Sequence, residues 1–420
     1  MRRYFGTDGV RGIVGKDLTP ELVERLGKAA TLWSKGGRVF VGRDTRGSGP
    51  ELEEAFARGV VEAGGNAVLG GVLPTPAVAL LALDLGVVVS ASHNPPEYNG
   101  LKFFDRDGRK LSDAAEEEIE ALLDATGRPG GGKVDHVGVA TDSYLEHIVE
   151  RFGSDLTGLR IAVDCANGAY SSIAPKAFEQ LGATVTAVAS DPDGNNINLG
   201  CGATDLSLLR RKVLQGDFDL GVAFDGDGDR MLAVDANGTP VDGDQILAIL
   251  ADHLQVDLVA VTQMTNLGFH RFAEERGIRV ITTDVGDRYV LEALRREGGL
   301  LGGEQSGHII YLKGHVTGDG LAAALLLCAA IEGRTLAEAA AILPRYPQAK
   351  ENVRVGTKAF SENLFAEIDR VNDELDGSGR ILVRPSGTEP VVRVLAEAEN
   401  PQKAEELCAR ISALVTRELG

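Results

Sequence analysis

Short apolar runs of strand length alternate with helix-length amphipathic segments, and this rhythm constrains the fold more than any other feature of the chain. Thr19 can cap a helix with Pro20 in its first position, after which apolar residues recur at Leu22, Leu26, Ala29 and Ala30. Arg38 to Gly42 reads as a strand, Pro50 opens a helix to about Ala63, and Ala67 to Val72 and Val87 to Val89 read as further strands. A helix follows over Asp113 to Leu123. Strands separated by helices imply βαβ units and a mostly parallel sheet. A second run begins near residue 151, with strands at Leu159 to Val163 and Asp219 to Phe224. A third begins near Asp242, with strands at Leu258 to Val261 and Arg279 to Thr283 and a helix through Tyr289 to Arg296. No clear sequence repeat relates the three. After residue 346 the pattern changes to Asn352 to Val355, a helix to about Leu375, strands at Ile381 to Val383 and Val391 to Leu395, and a helix from Pro401, which suggests a small α+β domain. Four domains are therefore expected, at 1–150, 151–241, 242–346 and 347–420.

The composition, 43% hydrophobic and 25% charged over 420 residues, is that of a soluble globular protein. A net charge of -19 argues against nucleic-acid or anionic-membrane partners, which need a positive surface. A phosphorylated ligand would require locally clustered Arg and Lys. The four cysteines form no C-x-x-C pair, which argues against disulfide scaffolds and zinc ribbons and for a reducing cytoplasm. The N-terminal arginines are not followed by the apolar stretch of a signal peptide. The longest apolar run, Leu321 to Ile331, is well short of the ~20 residues that cross a bilayer.

Several stretches carry chemistry. In Ser90-Ala91-Ser92-His93-Asn94-Pro95-Pro96-Glu97-Tyr98-Asn99-Gly100-Leu101-Lys102, two prolines, Asn99 and Gly100 imply an irregular loop at the end of a strand. A hydroxyl, an imidazole and an ammonium are presented there, where open α/β sheets hold their ligands. By itself the stretch reads better as an Asn-Pro turn with a solvated lysine, and it is the rest of the chain that favours a ligand site. Asp225-Gly226-Asp227-Gly228-Asp229-Arg230 follows the strand Asp219 to Phe224. Three alternating carboxylates can converge on one small cation, and magnesium beside a phosphate suits so few protein ligands. An EF-hand is ruled out by Arg230 where Gly is required and Ala236 where Glu is required.

Arg384-Pro385-Ser386-Gly387-Thr388-Glu389-Pro390, with Arg393 beyond it, offers guanidinium, hydroxyl and backbone donors for a phosphate dianion, or a turn with an exposed arginine. Glu304, Ser306 and His308 lie among glycines and suit sugar hydroxyls, although a satisfied loop has the same spacing. Tyr4 to Gly12 reads as a β-turn or as a means of bringing Arg11 towards Ser92. Thr126 to Val134 nearly matches a phosphate-binding Walker A loop, but Val134 replaces the magnesium-binding hydroxyl and a helix precedes it, so it reads as a flexible connection.

Together FGTDGVRG, SASHNPPEYNGLK, DGDGDR, GGEQSGH and RPSGTEP, in that order along the whole chain, resemble the α-D-phosphohexomutase superfamily. The resemblance implies three similar α/β domains with mixed sheets plus a smaller C-terminal α+β domain, around a central cleft. It implies that Ser92 carries a transferable phosphoryl group and that Asp225, Asp227 and Asp229, with an oxygen of that phosphate, hold one Mg2+. Lys102, Arg11, Arg230, His93 and His308 would surround the transfer site. Glu304 and Ser306 would hold the sugar, and Arg384, Ser386, Gly387, Thr388 and Arg393 the non-reacting phosphate. Gln305, Asn196 to Gly202 and Val285 to Val290 are similar to the branch that acts on glucosamine phosphates through glucosamine 1,6-bisphosphate and supplies cell-wall precursors. Ala203-Thr204-Asp205 departs from that branch, where Ser-Thr-His is common, and the expected effect is on a rim contact. Beyond the phosphosugar, a homodimer is the one partner the resemblance allows. The alternatives are the same chemistry on mannose or glucose phosphates, a metal-dependent phosphatase and a non-catalytic phosphosugar-binding protein.

Overall fold

The computed structural model describes residues 3–6, 8–126, 131–386 and 390–420. Part of the Walker-like stretch, together with Gly387 and Thr388, lies outside them. By contacts the chain divides into a larger unit, 1–264 with 278–342, and a smaller one, 265–277 with 343–420.

Among the described residues the larger unit contains three sheets. The first orders its strands Phe5–Gly6, Gly9–Ile13, Tyr98–Asp105, Leu85–Val89, Arg38–Arg43, Asn66–Val72 and Val134–His136. From Leu85–Val89 outward the pairing is parallel, and towards Phe5–Gly6 it is antiparallel. The sheet is thus mixed, as the family resemblance implies, where the alternation of strands and helices alone suggests a mostly parallel one. Parallel pairing needs a long crossover, while Leu85–Val89 and Tyr98–Asp105 are joined directly by the loop 90–97. The second sheet runs Pro240–Val241, Met231–Asp235, Leu220–Phe224, Arg160–Asp164, Thr184–Val188, and the third Arg279–Thr283, Leu258–Thr262, Leu301–Gly303, Ile309–Tyr311. The likeness of the three, hidden in the sequence, is topological. Each has a strand paired in parallel on one side and joined by a hairpin to an antiparallel strand on the other, and the hairpin loops are 90–97, 225–230 and 304–308.

The first sheet's core combines Val39, Val41, Val87, Val89 and Leu101 with Phe56 and Phe103. Thr19 caps the helix Pro20–Trp33 as expected, its hydroxyl accepting from Leu22 N at 3.3 Å. This helix and Gly49–Glu62 approach closely through glycines: a Cβ on Gly59 would lie 1.9 Å from the Glu24 carbonyl, and one on Gly27 2.3 Å from that of Phe56. The apolar run from Leu321 becomes the buried helix Gly320–Ala330, and no helix among the described residues is long and apolar enough to cross a membrane.

The smaller unit has a three-stranded antiparallel sheet, Gln348–Arg354, Val391–Ala398 and Gly379–Pro385, with the helices Glu362–Leu375 and Pro401–Leu419. Leu364, Ile381, Val392, Val394 and Ile411 contribute to its core. The helix Leu267–Glu275 belongs here too, since Asn266 Nδ2 donates to the Tyr346 carbonyl at 2.9 Å.

Gly59→Ala is expected to lower the stability of the larger unit by roughly 1–3 kcal/mol through overpacking. Gly138→Ala, with no atom within 4 Å of the added methyl, should leave the urea unfolding midpoint unchanged.

Candidate active site

The strand Leu85–Val89 delivers the chain to Ser92, whose backbone has φ 53° in the left-handed region. That conformation costs a non-glycine residue ~1–2 kcal/mol, so surrounding bonds must hold it. Ser92 N donates to Ser90 Oγ at 2.9 Å, and Ser90 Oγ donates to Asp44 Oδ2 at 2.6 Å. The Ser92 carbonyl accepts from Arg46 Nη2 and from Asn198 Nδ2, both at 2.9 Å. Arg46 is fully buried and uses every donor of its guanidinium. It also donates to the carbonyls of Asn94 (2.8 Å), Pro95 (2.5 Å) and Tyr98 (3.0 Å) and to Asp44 Oδ2 (2.9 Å).

The hairpin loop of the second sheet meets this serine. Ser92 Oγ donates to Asp225 Oδ2 at 2.7 Å, and Asp225 Oδ1 accepts from Arg230 N at 3.1 Å. Lys102 lies on the strand Tyr98–Asp105, so the expected irregular loop ends at Glu97 and Asn99 and Gly100 are strand residues, fixed by antiparallel pairing with Gly12 and Arg11. Its ammonium donates to Asp227 Oδ2 at 2.8 Å and Asp229 Oδ2 at 2.9 Å. Thr75 Oγ1 donates to Asp227 Oδ2 at 2.5 Å.

One oxygen from each of Asp225, Asp227 and Asp229 lies within 4.8 Å of the others, and all three residues are buried. Oδ1 of Asp227 and Oδ1 of Asp229 are buried without a hydrogen-bond partner. Such a set fits a small hard cation that accepts few protein oxygens. Burial, then Asp229 and Asp227, push Asp225 well above the usual carboxylate range. Burial alone would raise Asp229 as well, but Lys102 and His308 outweigh it and hold Asp229 well below that range. For Lys102, burial opposes the charge, yet Asp227, Asp229 and Asp8 keep it an ammonium, with its pKa well above normal.

A cavity of about 250 Å³ adjoins the cluster, lined by Arg11, His93, Arg230, Asp287, Arg288, Glu304 and His308 among others. Arg11 pairs with Asp8, while Lys110 Nζ bridges Asp8 Oδ1 at 2.7 Å and Asp287 Oδ2 at 2.5 Å. His308 stands with Nδ1 3.8 Å from Asp229 Oδ1 and Nε2 3.5 Å from Asp287 Oδ2. Burial, with Arg230 and Arg11 nearby, pushes His93 down to about 4 and leaves it neutral. His308 is shifted the other way, because Asp287 and Asp229 outweigh the effect of its burial. Glu304 Oε1 accepts from Gly286 N at 3.1 Å, and Ser306 Oγ is 3.4 Å from Glu304 Oε2. In the smaller unit, Arg384 and Arg393 are direct partners across the antiparallel ladder, and Ser386 N donates to the Val391 carbonyl at 2.9 Å.

Four family models match the chain in succession. They are the phosphoglucomutase/phosphomannomutase α/β/α domains I (residues 2–128), II (142–238) and III (242–346), and the C-terminal domain of the same family (349–414). Phosphoglucosamine mutase of Pelotomaculum thermopropionicum is 48% identical, with 99% of each chain covered. That of Clostridium acetobutylicum is 44% identical with both chains covered in full. The chain belongs to the phosphoglucomutase/phosphomannomutase family. Among solved structures, a family member from Burkholderia thailandensis superposes with a TM-score of 0.86 at 26% identity, covering 99% of this chain and 98% of the other. Aspergillus fumigatus N-acetylphosphoglucosamine mutase, solved with GlcNAc-6P and magnesium, shares the fold at a TM-score of 0.71 and 19% identity, covering 99% and 96%.

In this phosphohexomutase-family chain, Ser92, Lys102 and the three aspartates meet directly, and Arg11, His93, Arg230, Glu304, Ser306 and His308 stand around or beside the adjoining cavity. Residues that motif reading passed over are Asp8, Lys110 and Asp287, which form an ion cluster at the cavity wall, and Arg46 with Asn198 behind Ser92. Asp8 and Asp287 lie inside stretches already singled out, whereas Arg46 belongs to the charged loop Arg43 to Gly47, which follows a strand and matches no motif. The departure at Asp205 has a structural account: its carboxylate accepts from Ser207 N at 3.0 Å, at the start of the helix Ser207–Gln215.

Arg46→Ala would leave Asp44 buried without its cation and strip a donor from four carbonyls. A loss of about 3–5 kcal/mol is expected on the scale of broken buried ion pairs, with faster amide exchange over residues 92–98 as the local readout. Arg46→Lys should restore only part of it, since an ammonium cannot reproduce the planar five-donor fork.

Proposed function

We propose that this chain interconverts glucosamine 6-phosphate and glucosamine 1-phosphate through phosphorylated Ser92 and a glucosamine 1,6-bisphosphate intermediate. The observation that carries the reading is the meeting of Ser92 Oγ with Asp225 at 2.7 Å, inside a buried carboxylate triad two of whose members bond the Lys102 ammonium. The full-length similarity to phosphoglucosamine mutases supports the choice of sugar.

In the forward direction the phosphorus–oxygen bond at phosphorylated Ser92 breaks as one forms to the sugar O1, and the O1 hydroxyl proton ends on the released Ser92 Oγ. After the bisphosphate turns round, Ser92 takes the phosphoryl group from O6 and gives up its hydroxyl proton, which the sugar O6 takes. Such transfers need positioning and charge neutralisation more than covalent help. Lys102 remains an ammonium and supplies fixed positive charge, as do Arg11 and Arg230 at the cavity. Asp225 Oδ2 already accepts the Ser92 hydroxyl proton, which orients Oγ as an acceptor of phosphoryl. His93, neutral, and His308, biased towards its cationic form, complete the ring. Asp225, Asp227 and Asp229, with a phosphate oxygen on Ser92, would hold one Mg2+, which when bound neutralises charge on the phosphoryl oxygens.

Glu304 and Ser306 would take sugar hydroxyls. Arg384, Ser386, Gly387, Thr388 and Arg393 would grip the non-reacting phosphate, a role favoured by two arginines opposite each other on adjacent strands, which can offer guanidinium donors to one anion. The work divides accordingly: 1–150 carries the phosphoserine loop, 151–241 the metal loop, 242–346 the sugar loop and 347–420 the phosphate-binding loop. The reading sets this chemistry in the cytoplasm.

Ser92→Ala is expected to lose turnover of glucosamine 6-phosphate by orders of magnitude while keeping the wild-type circular dichroism spectrum; retained activity would remove the mutase reading. Parallel assays on glucose 6-phosphate and mannose 6-phosphate should give lower kcat/KM, and a preference for either would reassign the sugar. Asp227→Ala should abolish the magnesium-dependent rate, and an unaltered metal requirement would exclude the aspartate loop as its source.

A further inference from the structure

Behind the cavity lies a buried polar network that the proposed chemistry does not use. Asp319 Oδ1 accepts from Tyr170 Oη at 2.8 Å and from the backbone N–H groups of Leu321 (2.9 Å) and Ala322 (3.0 Å), which start the helix Gly320–Ala330. Its Oδ2 accepts from Tyr144 Oη at 2.7 Å and lies 3.0 Å from His315 Nε2. The two tyrosine hydroxyls are 2.6 Å apart, and His147 Nε2 is 3.3 Å from His315 Nδ1. Both tyrosines and Asp319 are buried; burial alone would raise the carboxyl, but His315 and the bonds of Ala322 and Tyr144 outweigh it and leave the carboxyl below its usual range.

The backbone at Asp319 is wedged between two parts of the site. On one side, a Cβ on Gly318 would lie 2.2 Å from His308 Nε2, so the imidazole rests on this backbone. On the other, Gly320 N donates to the Gly228 carbonyl at 3.0 Å, and a Cβ on Gly320 would meet the Arg230 carbonyl at 2.6 Å. Gly228 is backed by Tyr170, since its added Cβ would fall 2.4 Å from Cε2 of that ring. Asp319 N in turn donates to the Ile309 carbonyl at 3.2 Å, beside the sugar loop. One carboxylate therefore ties the strap 318–320, the ring beneath the metal loop and the support of His308 into a single piece.

We infer that Asp319 is a positioning residue for phosphoryl transfer, setting the loop 225–230 and His308 at their working separation through Tyr170, Tyr144 and His315. The inference rests on the mutase reading for its catalytic consequence, but not for its structural one. Small misplacements of reacting groups are costly: a shift of about 1 Å can remove roughly a hundredfold in rate. Groups behind metal ligands act on the scale of ~10–100-fold in affinity or activity.

The test is Asp319→Asn, whose remaining carbonyl oxygen can still accept at the helix start while its amide cannot accept from Tyr144. Expected are an ~10-fold or larger weakening of Mg2+ binding, read by calorimetry with Mg2+ alone, and a fall in kcat with KM for glucosamine 6-phosphate unchanged. A lowered melting temperature with wild-type kcat and Mg2+ affinity would reduce the network to scaffolding and overturn the inference. Should Asp319→Asn not fold, Tyr170→Phe decides by the same two readings, since it keeps the ring under Gly228 and removes one hydroxyl. Absence of turnover in the wild type would count against the mutase reading alone, because the calorimetry would still report on Asp319.

Discussion

A single ammonium makes this site possible. Three carboxylates within a five-residue stretch repel one another, and burial makes the repulsion worse. Lys102, reaching from the first sheet, sits between Asp227 and Asp229 of the second at 2.8 and 2.9 Å. Breaking such a pair leaves an uncompensated buried charge at a cost of about 3–5 kcal/mol, so the two sheets are held in register by the same contact that prepares the chemistry. In a chain of net charge -19, Arg11, Lys102, Lys110, Arg230 and Arg288 are gathered at one place. Asp8, Asp113, Asp229, Asp287 and Glu304 line the same cavity, so its charge is mixed, and the clustered cations would serve a phosphate ester as placed donors.

The fold solves the problem of assembly by reusing one device. In each sheet of the larger unit a hairpin joins a parallel-paired strand to an antiparallel one, and its loop carries the working residues: Ser92, then the aspartates, then Glu304, Ser306 and His308. Such loops are short and anchored at both ends, so their side chains are placed by strand register. The serine is held hardest, by a left-handed backbone that Arg46, Asn198 and Ser90 bond from three sides. The strain stored there is paid elsewhere, in a buried arginine whose every N–H is used.

Much of this was legible in the sequence, for physical reasons. Alternating carboxylates and glycines in 225–230 have few uses other than a cation, and the strand before them is uniformly apolar. Arg46 was not legible, because it stands in a charged loop that matches no motif, and only the folded loop shows it with no exposure. Lys102 was assigned to a loop on the strength of Asn99 and Gly100, yet pairing with Val10 to Gly12 makes that segment a strand. The similarity of the three α/β domains follows from the family resemblance and not from any internal repeat, since it resides in hairpin placement and not in shared residues. Asp319 precedes an apolar run and matches no motif, while its partners Tyr144 and Tyr170 are distant along the chain.

The central claim is that Ser92 Oγ accepts and returns a phosphoryl group beside the aspartate triad. Its most direct test is intact-mass analysis with peptide mapping after incubating the magnesium-loaded protein with glucosamine 1,6-bisphosphate. The account predicts one added phosphoryl group, on Ser92, and none in Ser92→Ala. A protein that turns over glucosamine 6-phosphate while carrying that group on another residue, or never carrying it, would contradict the account.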